Sequence, residues 1–267
     1  MVCWHTKSEI GLYSYRLSYG RPMIWWEAVL LFVGGGVAGI VNAMAGGGSS
    51  LTVPLLVLAG VPGNFANGTN RVGIFVSNGT TICSFHRQGV KAYKEALPFL
   101  LPVIIGSLIG SIAISQVTDR TFETIFGILI LPIIFLSLKE PKAIREGPEF
   151  SKAAIFILFL VIGVYAGAIQ MGVGLVLLAF LTRSGLTLMK ANFVKVLVTL
   201  AITATALPVF IVQGKVRWLP ALILTVGLSI GGWLGARIAV KGGERIIRIF
   251  MIIAAIGLTG RLVGLYG

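Results

Sequence analysis

Apolar positions run along this chain in long blocks that carry no charge: Ala28 to Ala66, Ala96 to Val117, Thr124 to Leu138 and Ala153 to Thr182. Such blocks, at about 18 residues or more, predict transmembrane helices. The pattern divides into segments A (23–45), B (50–60), C (66–86), D (95–116) and E (121–138). A polar stretch, KEPKAIREGPEFSK at 139–152, interrupts it. Segments A′ (153–171), B′ (173–183), C′ (188–212), D′ (218–240) and E′ (244–265) follow in the same order. The predicted organisation is a polar leader (1–22), a first transmembrane repeat (23–138), a linker (139–152) and a second transmembrane repeat (153–267). The leader ends in no small-residue cleavage pattern, so segment A is expected to be retained.

The two halves agree residue by residue. An offset of 125 carries Gly60, Ala66, Asn67, Gln88, Gly89, Ala96, Gly106 and Gly110 onto Gly185, Ala191, Asn192, Gln213, Gly214, Ala221, Gly231 and Gly235. An offset of 128 carries Gly35, Ala38 and Gly39 onto Gly163, Ala166 and Gly167, and Asn42 onto the similar Gln170. B and B′ are too short to cross: eleven helical residues rise roughly 16 Å against a hydrocarbon core of about 30 Å. Paired short segments with Gly or Pro interruptions are the sequence mark of a transporter's binding site. The fold class expected is therefore an all-α polytopic membrane protein, with about eight transmembrane helices and two short broken segments built from two homologous repeats. If A spans and B is re-entrant, the repeats are parallel. If A and B form one re-entrant hairpin, they are inverted. The Lys and Arg distribution does not separate the two readings; the length of A favours the first.

The sequence holds 22 Lys and Arg against 9 Asp and Glu, a net charge of +13. The cations lie mostly in short loops, where they orient the chain and meet anionic headgroups, so a nucleic-acid partner is not expected. Two cysteines, Cys3 and Cys83, give neither a disulfide framework nor a metal spacing.

Two cations fall inside the spans. Arg71 lies early in C, and Lys195 lies early in C′ at the position equivalent to Asn70. A cation at the bilayer centre costs about 2.5–3.5 kcal/mol on insertion scales. The acids all sit in loops, the leader or segment ends, so an anionic ligand between the repeats is the expected counter-ion. Its neighbours would be Asn67, Thr69 and Asn70 beside Arg71, Asn192 beside Lys195, and Asn42 and Gln170 at the ends of A and A′. Gly46, Gly47 and Gly48 let backbone approach a ligand, and Ser49 and Ser50 open B where helix N–H groups favour negative charge. Each of these side chains could equally bridge helices. No catalytic residue, metal or cofactor is expected. A Ser49 or Ser50 nucleophile would lie more than about 20 Å along C from His86 by helical rise.

The stretch GGGVAGIVNAMAGGGSSLTVPLLVLAGVP, followed by ANGTNRV, resembles the sulfite exporter TauE/SafE family of membrane permeases. A weaker copy stands at GVYAGAIQMGVGLVLLAFLTRSGLTLMKANFVK. The resemblance covers roughly residues 27–265. It implies a duplicated cell-membrane permease of about eight spans that moves sulfur-containing anions such as sulfite and sulfonates. The second half lacks the full glycine cluster, so the half-sites are not expected to be equivalent. The partners implied are a small anionic substrate and the lipid bilayer; a homo-oligomer is compatible with the sequence. An anion channel, or a permease for another small oxyanion or carboxylate, is the alternative, and an intramembrane hydrolase the remote one.

Overall fold

A computed structural model describes residues 23–44, 46–126, 128 and 151–262, with residues 243–262 described by backbone alone. The leader and most of the linker and of segment E lie outside these. The helices are α1 (Trp25–Met44), α2 (Ser49–Leu58), α3 (Gly63–Arg87), α4 (Tyr93–Ser115), the start of α5 (119–126), α6 (Lys152–Ala168), α7 (Val173–Arg183), α8 (Leu188–Val212) and α9 (Trp218–Leu262). The described residues form no strand. Among the described residues, four stretches are long and apolar enough to cross a membrane: Trp25–Met44, Tyr93–Ser115, Leu188–Val212 and Trp218–Gly242. Segments D′ and E′ were expected as two helices; α9 instead runs on through Gly242 and Gly243 to Leu262. Two glycines cost a helix only about 1 kcal/mol each, and no proline stands there to interrupt it.

Helix direction follows from which ends meet. Phe85, near the end of α3, packs edge-on against Phe193, near the start of α8, with centroids 6.2 Å apart. Arg71, near the start of α3, lies 4.7 Å from the ring of Phe210, near the end of α8. These helices are antiparallel. Phe99 stacks on Phe159 at 4.2 Å and Gly110 abuts Val164, so α4 and α6 are parallel. Gly35 meets Leu224 and Gly235 meets Ile40, so α1 and α9 are parallel. Ser77 and Ser84 donate to Leu228 O and Trp233 O, which sets α3 parallel to α9. α1 and α3 of the first half thus run one way, while α6 and α8 of the second run the other. This is the arrangement of the inverted reading, not of the parallel one that the length of α1 favoured. The reason is that α2 turns back after the break, so that α1 and α3 enter from the same face.

The halves also interlock. α1 packs most extensively on α9, and α6 on α4, so each half lays its first helix against the fourth of the other. The glycines shared between the halves are the crossing points. A Cβ on Gly35 would sit 3.0 Å from Leu224 O, and one on Gly163 2.7 Å from Val103 O. Cβ atoms on Gly231 and Gly106 would strike the carbonyls of Gly36 and Leu160. Small residues allow this close backbone approach, on which helix packing in lipid depends. Equivalent turns match as well: Gly60 and Gly185 have φ of 79° and 87°, and Gly89 and Gly214 have 81° and 65°, left-handed values natural only to glycine.

With directions known, the loop charges can be sorted. Arg87, Lys91, Lys94, Lys152, Arg183, Lys190, Arg237 and Lys241 gather at the end where α3 finishes and α8 begins. Arg120, Lys215 and Arg217 mark the other end. The positive-inside rule places the first end in the cytoplasm.

Candidate functional site

α1 and α6 both stop inside the bundle. α1 ends at Met44, before the glycine run, and α6 ends at Ala168, before Gln170 and Gly172, whose φ values are 63° and 68°. The short helices α2 and α7 restart beyond these breaks. The breaks touch each other: a Cβ on Gly46, where φ is 83°, would lie 2.5 Å from Gly174 Cα and 3.0 Å from Lys195 Cδ. A Cβ on Gly48 would lie 2.5 Å from Asn42 Cβ, whereas Gly47 has room.

A helix that ends away from water leaves carbonyls that need donors. Arg71 and Lys195 supply them, each to the opposite half. Arg71, with none of its surface exposed, donates from Nη2 to Ala166 O at 3.3 Å and to Gly167 O. Asn67 donates to the next carbonyl, Ala168 O, at 2.8 Å. Lys195, 2% exposed, donates from Nζ to Asn42 O at 3.0 Å and Ala43 O at 3.4 Å. Helix C-termini carry negative partial charge, so the pairings are favourable electrostatically as well.

Arg71 and Lys195 were expected to converge on one centre. Each binds the end of a different broken helix. Arg71 lies against Phe210, and the backbone of Lys195 is roughly 22 Å from that residue along α8 by helical rise. The antiparallel run of α3 and α8 is the cause, since both cations lie early in their helices. Neither is paired with a carboxylate among the described residues; their partners are main-chain carbonyls.

The other candidates divide. Asn42 Nδ2 donates to Asn78 Oδ1 at 3.2 Å, and its counterpart Gln170 donates from Nε2 to Thr203 Oγ1 at 2.6 Å. Asn78 and Thr203 are themselves equivalent by the offset of 125. Carrying the repeat comparison one turn deeper into C and C′ would have found both. Asn70 Oδ1 accepts from Thr52 Oγ1 at 2.5 Å, tying α3 to the start of α2. Thr69 belongs elsewhere: its hydroxyl accepts from Arg217 N at 2.9 Å and serves the α8–α9 turn. Ser49 and Ser50 are buried at the start of α2. Several buried polar atoms have no protein partner: Arg71 Nε and Nη1, Asn70 Nδ2, Ser50 Oγ, Asn67 Oδ1, Gln170 Oε1 and both amide atoms of Asn192. His86 lies apart, its Nδ1 3.1 Å from Tyr93 Oη at the exposed end of α3. Cys83 is exposed on α3. No group of three or more potential metal ligands occurs among the described residues.

The family model for the sulfite exporter TauE/SafE family matches residues 31–262, which include both breaks and both cations. The chain belongs to this family. It is 30% identical over 236 residues to a probable membrane transporter protein, ORF9, of a Sinorhizobium species, covering 87% of this chain and 90% of that one. It is 27% identical to a probable membrane transporter protein of Haemophilus influenzae, with 88% and 93% covered. It is also 27% identical to the probable membrane transporter protein YfcA of Escherichia coli, with 88% of each covered. No solved structure matches. The protein is accordingly a multi-pass membrane transporter of the cell membrane.

Proposed function

We propose that the chain is a permease for small sulfur-containing anions, sulfite or organosulfonates, and that the anion binds between the two repeats in the field of Arg71 and Lys195. The family supports the substrate class, and the buried charge supports an anion. A helix C-terminus supplies about half an elementary charge of compensation. Each cation meets one such terminus, so the pair retains roughly one positive charge in a medium that scarcely screens it. A monoanion cancels that remainder. Hydrogen sulfite and alkyl sulfonates suit it better than the sulfite dianion, which would leave an excess of the opposite sign. The unpartnered N–H donors of Arg71, Asn70 and Asn192, with Ser50, would face the anion's oxygens. The duplication of 23–138 as 153–267 belongs to the same proposal: two copied broken helices, inverted, offer one terminus to each side of the membrane.

The observation that carries this reading is the burial of two cations whose partners are carbonyls alone. The test is flux of labelled sulfite and of an alkyl sulfonate into proteoliposomes, at pH values on either side of the hydrogen sulfite–sulfite equilibrium. Sulfonate flux, together with sulfite flux that rises as the monoanion fraction rises, is the expected result. No flux of either anion, with a carboxylate or phosphate carried instead, would assign the site to another small oxyanion. Flux that ignores imposed proton and sodium gradients would mark uncoupled permeation.

A further inference from the structure

A second constellation lies outside the breaks, on the lipid-facing side where α3 meets α9. A groove of about 330 Å³ runs there between Thr80, Ser229, Ile230, Trp233 and Leu234. Ile230 and Leu234 are 49% and 43% exposed, so the groove opens towards the membrane. Its polar contribution is slight: Thr80 Oγ1 donates to Ser77 O and Ser229 O, and Ser229 Oγ is buried without a partner. At the cytoplasmic end two guanidinium groups converge on one indole. The Arg87 Cζ lies 5.2 Å from the Trp233 ring centroid, and that of Arg237 lies 5.1 Å from the same centroid. Both arginines are exposed, and neither has a carboxylate partner among the described residues.

The geometry points to a binding site for an anionic phospholipid of the cytoplasmic leaflet, its phosphate between Arg87 and Arg237 and one acyl chain in the groove below Trp233. Two exposed guanidinium groups without a carboxylate partner among the described residues make this a concentrated positive patch, and guanidinium forks match phosphate oxygens. Indole and guanidinium both favour the headgroup level. The sorted loop charges put this end in the leaflet where anionic lipids reside. The groove supplies what a free phosphate would not use, an apolar channel leading from the charge into the hydrocarbon.

Quenching of tryptophan emission by acyl-chain bromine tests this in the full chain reconstituted in nanodiscs. Brominated phosphatidylglycerol, titrated into a phosphatidylcholine background, should quench more than brominated phosphatidylcholine at equal content. Trp233→Phe should erase that increment while the other tryptophans report unselective contact. Arg87→Gln with Arg237→Gln should raise the lipid fraction for half-quenching about thirtyfold, at about 1 kcal/mol per basic residue near the surface. Equal quenching by the two lipids, or an increment that survives Trp233→Phe, would overturn the assignment. So would full displacement by glycerol phosphate, since the headgroup alone would then be the ligand. If the double variant fails to yield folded protein, Arg87→Gln alone carries the charge test, and a wild-type half-quenching point for it counts against the site.

Discussion

The two breaks are built alike and finished differently. At the α6 break, three successive carbonyls have donors: Arg71 takes Ala166 and Gly167, and Asn67 takes Ala168. The guanidinium also lies against Phe210. At the α1 break, Lys195 takes Asn42 and Ala43, but Asn192, which corresponds to Asn67, binds no protein atom at all. One half has spent its polar side chains on closing a helix end. The other keeps a fully buried amide in reserve. Such a group costs about 1–3 kcal/mol if nothing meets it; at the α6 break the atoms left over, Arg71 Nε and Nη1 and Asn67 Oδ1, belong to side chains already anchored on carbonyls, whereas Asn192 is anchored on nothing. The Arg71 end should therefore matter first to stability, and the Lys195 end first to affinity.

Arg71→Ala is the severest way to break that contrast. It leaves two buried carbonyls without donors, a loss of about 2–6 kcal/mol in all. The expected outcome is a collapse of the unfolding midpoint in nanodiscs and no measurable flux, with Arg71→Lys recovering part of both. A stable, folded Arg71→Ala protein that has merely lost affinity would reverse the assignment of roles.

Lys195 and Asn192 sharpen the other side. Lys195→Ala should cut anion flux at least tenfold with a smaller fall in the midpoint. Lys195→Glu should be worse on both counts, since a carboxylate would face the carbonyls of Asn42 and Ala43 with nothing to donate. Asn192→Ala removes a group with no protein partner, so the midpoint should hold or rise while the half-saturating anion concentration increases. A midpoint that falls as far as for Asn67→Ala would show that Asn192 has a structural partner after all.

Much of this could be read from the chain, and what could not has a definite cause. The matched positions of the two halves included several crossing glycines, Gly35 and Gly163 among them, because close backbone approach demands glycine there; others, such as Gly227 against Phe32 O, have no glycine at the matching position. The repeat located the breaks for the same reason. It paired Asn42 with Gln170, whose hydrogen bonds to Asn78 and Thr203 are equivalent. Direction was hidden: parallel and inverted copies have the same hydrophobic pattern, and only contacts such as Phe85 with Phe193 distinguish them. That Arg71 and Lys195 bind different helix ends was hidden with it, since equivalent positions lie directly opposite one another only at the middle of antiparallel helices. The carbonyls that receive both cations were hidden too, because main-chain acceptors leave no trace in residue identity. Thr69 looked like a site residue because it stands beside Asn70, but one position along a helix turns a side chain by about 100°.

The breaks themselves can be compared with ordinary turns. Gly46→Ala places a Cβ 2.5 Å from Gly174 Cα at a left-handed φ of 83°. Gly185→Ala meets the same conformational objection, at φ 87°, with nothing within 4 Å. The turn substitution should cost about 1–2 kcal/mol from conformation alone. The break substitution should cost more, because backbone must also move, and it should depress flux. Equal losses in the two variants would mean that the breaks can separate freely.

The mildest test sets Asn42 against Gln170. Each donates one buried hydrogen bond worth about 1 kcal/mol. Asn42 sits in the last turn of α1, where glycine costs about 0.3–0.5 kcal/mol more than asparagine. Gln170 sits at φ 63°, where a side chain is already strained by about 1–2 kcal/mol that glycine would relieve. Asn42→Gly should therefore lose about 1.5 kcal/mol, whereas Gln170→Gly should change stability by less than about 1 kcal/mol in either direction. Chemical denaturation of the two variants side by side measures the difference. If Gln170→Gly falls as far as Asn42→Gly, its hydrogen bond to Thr203 is worth well over the usual amount, and the α6 break is held by that bond as much as by Arg71.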